Sequence, residues 1–92
     1  MWDDLFVEGA IGSEGGLILA DEAYKDVCRI TLEDCGEHYA ITCGVYGAMV
    51  HTTFAGGRKT YDEMKKELQD FIDRDTTKDE EYEFYSYFIQ KF

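Results

Sequence analysis

The chain contains no proline, and only nine lysines and arginines stand against twenty aspartates and glutamates. Without proline no position is forced out of a helix or a ladder, and glycine is left to punctuate the chain. The shortage of basic residues gives a formal net charge of −11. A field of that sign repels DNA, RNA and anionic lipid, and it speeds encounter with basic surfaces. No apolar run approaches the roughly 18–20 residues that a membrane-spanning helix needs. The opening MWDDLFVEGAIG has acids where a secretory leader carries basic residues, and it lacks a continuous apolar core. Three cysteines, an odd number, cannot close a disulfide framework within one chain. A reducing cytoplasm is therefore the expected location.

Apolar side chains are present in quantity. Aromatics make up 15% of the 92 residues and apolar types 45%, enough to build one small folded domain despite the charge. Up to Gly57 there are ten acids and two bases, a balance of −8; beyond it there are ten acids and seven bases, a balance of −3. The acidic excess thus lies mainly on the part of the chain that reads as strands.

Trp2, Leu5 and Phe6 fall at helical spacing in a segment too short to stand alone. The stretch from Glu8 to Gly16 holds four glycines and reads as a loop or a distorted edge strand. Leu17, Ile18 and Leu19 form a short apolar strand leading into Asp21-Glu22, where a turn is expected. Tyr24, Cys28, Ile30 and Leu32 then alternate with Lys25, Arg29, Thr31 and Glu33, the period of a half-buried strand. Asp34 to Glu37 offers turn chemistry, and Tyr39, Ile41 and Cys43 alternate after it. Gly44 to Gly47 reads as a second turn or a bulge, followed by a strand over AMVHTTF. After GGRK the period changes. Tyr61, Met64, Leu68, Phe71 and Ile72 mark an amphipathic helix, with Thr60 and Glu63 as its capping box and an Asp70–Arg74 pair near its end. Thr77 and Glu80 repeat the capping signature. Beyond them Tyr82, Phe84, Tyr85, Phe88, Ile89 and Phe92 share one face of a second helix, with Tyr87 off it. The same aromatics could also make an edge strand, but the helix is the better reading. The expected fold is α+β: an antiparallel meander of three to four strands over roughly 16–54, then helices over 60–75 and 78–91 packed on one face.

The densest concentration of reactive side chains is CRITLEDCGEHYAITC, residues 28 to 43. Read as a hairpin turning at Cys35-Gly36, it sets Leu32 opposite Tyr39, Ile30 opposite Ile41 and Cys28 opposite Cys43. A register slipped by one residue would place Leu32 beside His38 and turn the apolar set outward. Cys28 and Cys43 then read as core residues about 5.5 Å apart at Cα, and a disulfide between them would be strained. Cys35 at the tip lies roughly 23 Å from Cys28 and roughly 26 Å from Cys43, at about 3.3 Å per residue, and His38 falls on the other face opposite Glu33. Four such dispersed groups do not converge on one ion, and neither CxxC nor HExxH occurs. Cys43 and His51 lie on adjacent strands, but that placement alone does not make a nucleophile and base. The glycines of SEGG and AGGRKT do not match a P-loop. No catalytic residue, metal or cofactor is implied.

The expected function is that of a small non-enzymatic binding protein, of the inhibitor or immunity type, occluding a basic surface on a protein partner. The likeness to such proteins is one of size and charge alone. Acids at the hairpin tip (Glu33, Asp34, Glu37) and at the start of the second helix (Asp79, Glu80, Glu81, Glu83) would supply the charge. Tyr87 and its aromatic neighbours would supply anchors of the kind interfaces favour. Two other classes stay open: a homodimer or subunit using the aromatics as its interface, and a small-molecule binder or small enzyme. Neither nucleic acid nor membrane is an expected partner.

Overall fold

A computed structural model of the chain describes residues 2–45, 49–74 and 77–92. Over these the architecture is α+β. Five strands, β1 (Trp2–Asp4), β2 (Leu17–Tyr24), β3 (Cys28–Asp34), β4 (Tyr39–Val45) and β5 (Met49–Ala55), precede the helices α1 (Arg58–Ile72) and α2 (Lys78–Lys91). The strands form one antiparallel sheet in chain order, β1-β2-β3-β4-β5. No described helix is long and apolar enough to cross a membrane.

The sheet is wider than the three to four strands expected, because the first residues are a strand and not a helical turn. Trp2 pairs with Tyr24, their rings 5.1 Å apart, and its indole N–H donates to Gln69 Oε1 at 2.9 Å. The anchor lies on α1, beyond the reach of local pattern. Asp21 and Glu22 sit within β2 and not in a turn. Each has a cation to hold it there: Arg29 grips Asp21 through two hydrogen bonds of 2.9 and 2.6 Å, and Lys65 reaches Glu22 from α1. The turn falls instead at Tyr24–Val27, where Lys25 and Asp26 take φ of 52° and 55°. Two successive positive φ values suit the twist of the flanking strands.

The β3–β4 hairpin differs in register from the expected one by two residues. Leu32 lies opposite Ile41, Ile30 opposite Cys43, and Cys28 opposite Val45. The turn centres on Gly36-Glu37, with Cys35 N–H donating to the His38 carbonyl at 2.9 Å and Gly36 at φ 90°. Glycine carries that positive φ without the steric cost other residues meet. Because the slip is an even number, each side chain keeps its face. Cys28 and Cys43 do share the core face, as diagonal neighbours and not opposite each other. His38 belongs to the turn, and Glu33 faces Ala40. A register shift marks a bulge between Cys43 and Val45. The turn expected to run on through Tyr46 and Gly47, and the placement of the His51 side chain, fall outside the described residues.

One face of the sheet builds the core: Ala20, Tyr24, Cys28, Ile30, Leu32, Ile41, Cys43, Val45 and Phe54 pack beneath Tyr61, Met64, Leu68 and Phe88. The stripe expected on α1 is present, with Tyr61, Met64, Leu68 and Phe71 buried. Its expected cap is not. The helix starts two residues earlier, with Gly57 as N-cap and no side-chain cap bond, so Thr60 lies inside the first turn. Arg74 sits over the Phe71 ring, and its pairing with Asp70 is not among the ion pairs of the described residues. On α2 the Thr77–Glu80 capping box forms, but the aromatic stripe is only partly used. Phe88 is buried and Phe84, Tyr85 and Phe92 pack against the core. Tyr82 and Ile89 project outward, at 77% and 46% exposure.

Candidate functional site

Two antiparallel helices joined by a short connection leave a groove wherever facing side chains do not interdigitate fully. Between α1 and α2 such a groove of about 540 Å³ is lined by Glu67, Asp70, Phe71, Arg74, Glu80, Glu83, Phe84 and Tyr87. Its floor is aromatic. Phe71 and Phe84 stack with centroids 4.1 Å apart and planes within 2°, and Tyr87 extends the floor 6.4 Å from Phe84. Among the described residues four carboxylates rim it, against one guanidinium.

The rim is partly ordered from within. Glu67 accepts from Tyr87 Oη at 3.1 Å and from Lys91 Nζ at 2.8 Å. That carboxylate and the tyrosine hold the Lys91 ammonium above its ordinary pKa, so it stays charged. Glu80 is engaged in its capping box. Asp70 and Glu83 are exposed on opposite sides of the groove and stand in none of the ion pairs of the described residues. A carboxylate pair flanking an open aromatic floor suits a cation with an apolar stem. Arginine stacked on a ring is one such group.

The acids expected from the sequence do not form one surface. Glu80, Glu83 and Tyr87 line the groove. Asp79 is exposed in the first turn of α2 but outside the lining, and Glu81 turns toward Tyr85, whose hydroxyl is kept protonated by burial first and the Glu81 charge second. The hairpin acids lie at the other end of the molecule. Tyr39 beside that tip approaches Gly57 at the start of α1, whereas the end of α1 is tied by Asp73 to Tyr24 and Lys25 at the opposite turn. Asp34 spends one oxygen on the Gly36 N–H at 2.9 Å, and Glu37 is exposed. Glu33, expected at the surface, is fully buried, so it cannot contact a protein partner there. The loop of residues 11–16 folds over it.

Glu67, Asp70 and Arg74 were not anticipated as site residues. They recur at helical spacing beside the apolar stripe of α1, which is the pattern of a groove edge, but the pattern becomes legible only once α2 is known to lie alongside. The two buried thiols belong to the core: burial raises Cys28 to about 11 and Cys43 to about 12. No group of three metal-ligating side chains occurs among the described residues. Comparison of the chain with protein-family models, with curated proteins and with solved structures returns no match.

Proposed function

We propose that the protein is a non-enzymatic binding module whose α1–α2 groove captures an arginine- or lysine-bearing segment of a basic protein partner, occluding it. The observation that carries this reading is the stacked Phe71–Phe84 floor between the carboxylates of Asp70 and Glu83. The overall charge of −11 draws a basic partner in, and the aromatic floor supplies the contact that holds it. The described lining supplies carboxylates, aromatic rings and one guanidinium, groups suited to recognising a cationic side chain. Three free cysteines agree with a reducing cytoplasm as the site of action.

The reading is tested with an octapeptide of arginine and leucine, followed by amide chemical shifts at low and high salt. Shifts should map to residues 67–74 and 80–87, and affinity should fall at least about tenfold between about 20 mM and about 0.5 M salt, because screening removes the steering and the rim pairs. The double variant Asp70→Lys/Glu83→Lys spares the capping box and should cost about 1.4 kcal/mol, about tenfold in Kd. Binding that ignores both salt and the double variant would overturn the proposal. So would salt-insensitive self-association by light scattering with shifts in the same groove, which would make the aromatic floor an interface between copies of this chain.

A further inference from the structure

On the sheet face away from the helices, residues 11–16 fold back over β3 and close a second cavity. Gly12 N–H donates to the Gly16 carbonyl at 2.9 Å and Gly15 N–H to the Gly12 carbonyl at 3.0 Å, which curls the loop tightly. Its inward N–H groups find an acceptor on the sheet. Glu14 N–H and Gly16 N–H both donate to Glu33 Oε1, at 3.2 and 3.1 Å. The approach is so close that a Cβ at Gly12 would lie 2.2 Å from Glu33 Cδ, so a larger residue here would displace the carboxylate. The loop thus uses one oxygen of the carboxylate completely.

The other oxygen is left over. Glu33 Oε2 is buried and has no hydrogen-bond partner among the described residues, a costly arrangement for a carboxylate oxygen. Glu33 forms part of the wall of a cavity of about 250 Å³, with Ser13 from the loop, Ile18 from β2, Arg29 and Thr31 from β3 and Thr42 from β4. The cation in that wall among the described residues, Arg29, is held by Asp21 in a two-point pair, and Thr31 Oγ1 also donates to Asp21 at 3.1 Å. What the described residues leave without a donor is Glu33 Oε2. Its complement is one cationic N–H donor with a short apolar stem to lie along Ile18. At about 30 Å³ per water-sized group, the space takes roughly eight non-hydrogen atoms.

We infer that this cavity is a binding site for a small primary-ammonium compound, whose N–H donates to Glu33 Oε2 beneath the loop at Gly12 and Ser13. The site is separate from the α1–α2 groove, lies on the opposite face of the sheet, and does not depend on the function proposed for that groove. The requirement for a donor distinguishes it from a general attraction of cations to an acidic protein. A primary ammonium can satisfy the orphaned oxygen, and a quaternary ammonium of the same charge cannot.

The test is a titration of the full chain with propylammonium chloride at constant ionic strength, read by amide shifts. The result expected is a saturable response confined to Gly12, Ser13, Ile18, Thr31, Glu33 and Thr42. 1-Propanol, which has the stem without the charge, and tetramethylammonium, which has the charge without a donor, should each bind at least about tenfold more weakly, about 1.4 kcal/mol. Glu33→Gln keeps an acceptor oxygen for Glu14 and Gly16 and removes the charge, and should weaken the response to the same degree. Should that variant fail to fold, Ser13→Phe at the exposed mouth decides the matter by filling the entry, and it should abolish the response. Saturation by tetramethylammonium or 1-propanol at equal concentration overturns the inference. So does a propylammonium response that maps to the acidic groove, that survives both variants, or that does not saturate.

Discussion

Burial sets the reactivity of the three thiols. Cys28 and Cys43 are enclosed by the core, and the loss of hydration raises them to about 11 and about 12, far from the thiolate form that reacts. Cys35, at the edge of the hairpin turn, is less enclosed. Its thiol is still raised, first by partial burial and then by the charges of Glu33, Glu14 and Asp34. Iodoacetamide at about pH 8 should therefore modify Cys35 alone, and slowly, until urea exposes the other two; intact-mass and peptide mass spectrometry read this directly. Equal labelling of Cys28 or Cys43 in the native protein would mean that the core face opens. The apolar faces of these residues were legible in the sequence, since alternation alone puts Cys28 and Cys43 with Ile30 and Leu32. The burial of Glu33 was not. It depends on a loop some twenty residues earlier, and its one sequence trace is the glycine at Gly12, which reads as flexibility until the carboxylate beside it is seen.

At the scale of elements, periodicity located α1, α2 and the strands from β3 to β5, and turn chemistry set what periodicity leaves open. Alternation has a period of two, so it separates the faces of a hairpin and cannot distinguish registers that differ by two residues. The β3–β4 pair shows this: the faces follow from the pattern, while the register follows from Gly36, which needs the first turn position for its φ of 90°. Helix starts show the same division. Thr60 and Thr77 carry equivalent capping signatures, yet only Thr77 accepts the Glu80 N–H, at 3.3 Å, while Glu80 reaches back. Thr77→Ala should accordingly cost about 1 kcal/mol, within the range of about 0.5–2 for a lost N-cap. Thr60→Ala, within the first turn, should change stability by less than about 0.5 kcal/mol. Urea unfolding midpoints of the two variants check the contrast, and equal losses would place the start of α1 at Thr60.

Across the whole molecule, sheet and helices are locked by contacts between distant parts of the chain. Asp73, just past α1, accepts from Tyr24 Oη at 2.7 Å and from Lys25 Nζ at 2.8 Å. The hydrogen bond from Lys25, and then that from Tyr24, hold its carboxyl below the ordinary 3.8. A carboxyl depressed in the folded state contributes stability that is fully present above its unfolded pKa and is lost as pH falls through the folded one. Asp73→Asn should therefore lower the urea midpoint at pH 7, and the gap to the parent should close as pH drops below about 4. A gap that stays constant with pH would assign the loss to packing alone. The aromatic groove is likewise built from distant parts of the chain. It was half-visible as acids and rings near the C-terminus, but its other wall lies on α1, and only the antiparallel packing of the helices brings Asp70 across from Glu83. The order of the sheet carries one more consequence. Each strand pairs with the next along the chain, so no pairing waits for a long crossover to close. The costliest closure is that of β1 on β2, across the glycine-rich loop. Assembly can proceed hairpin by hairpin, and refolding on the order of milliseconds is the rate such local topology sets.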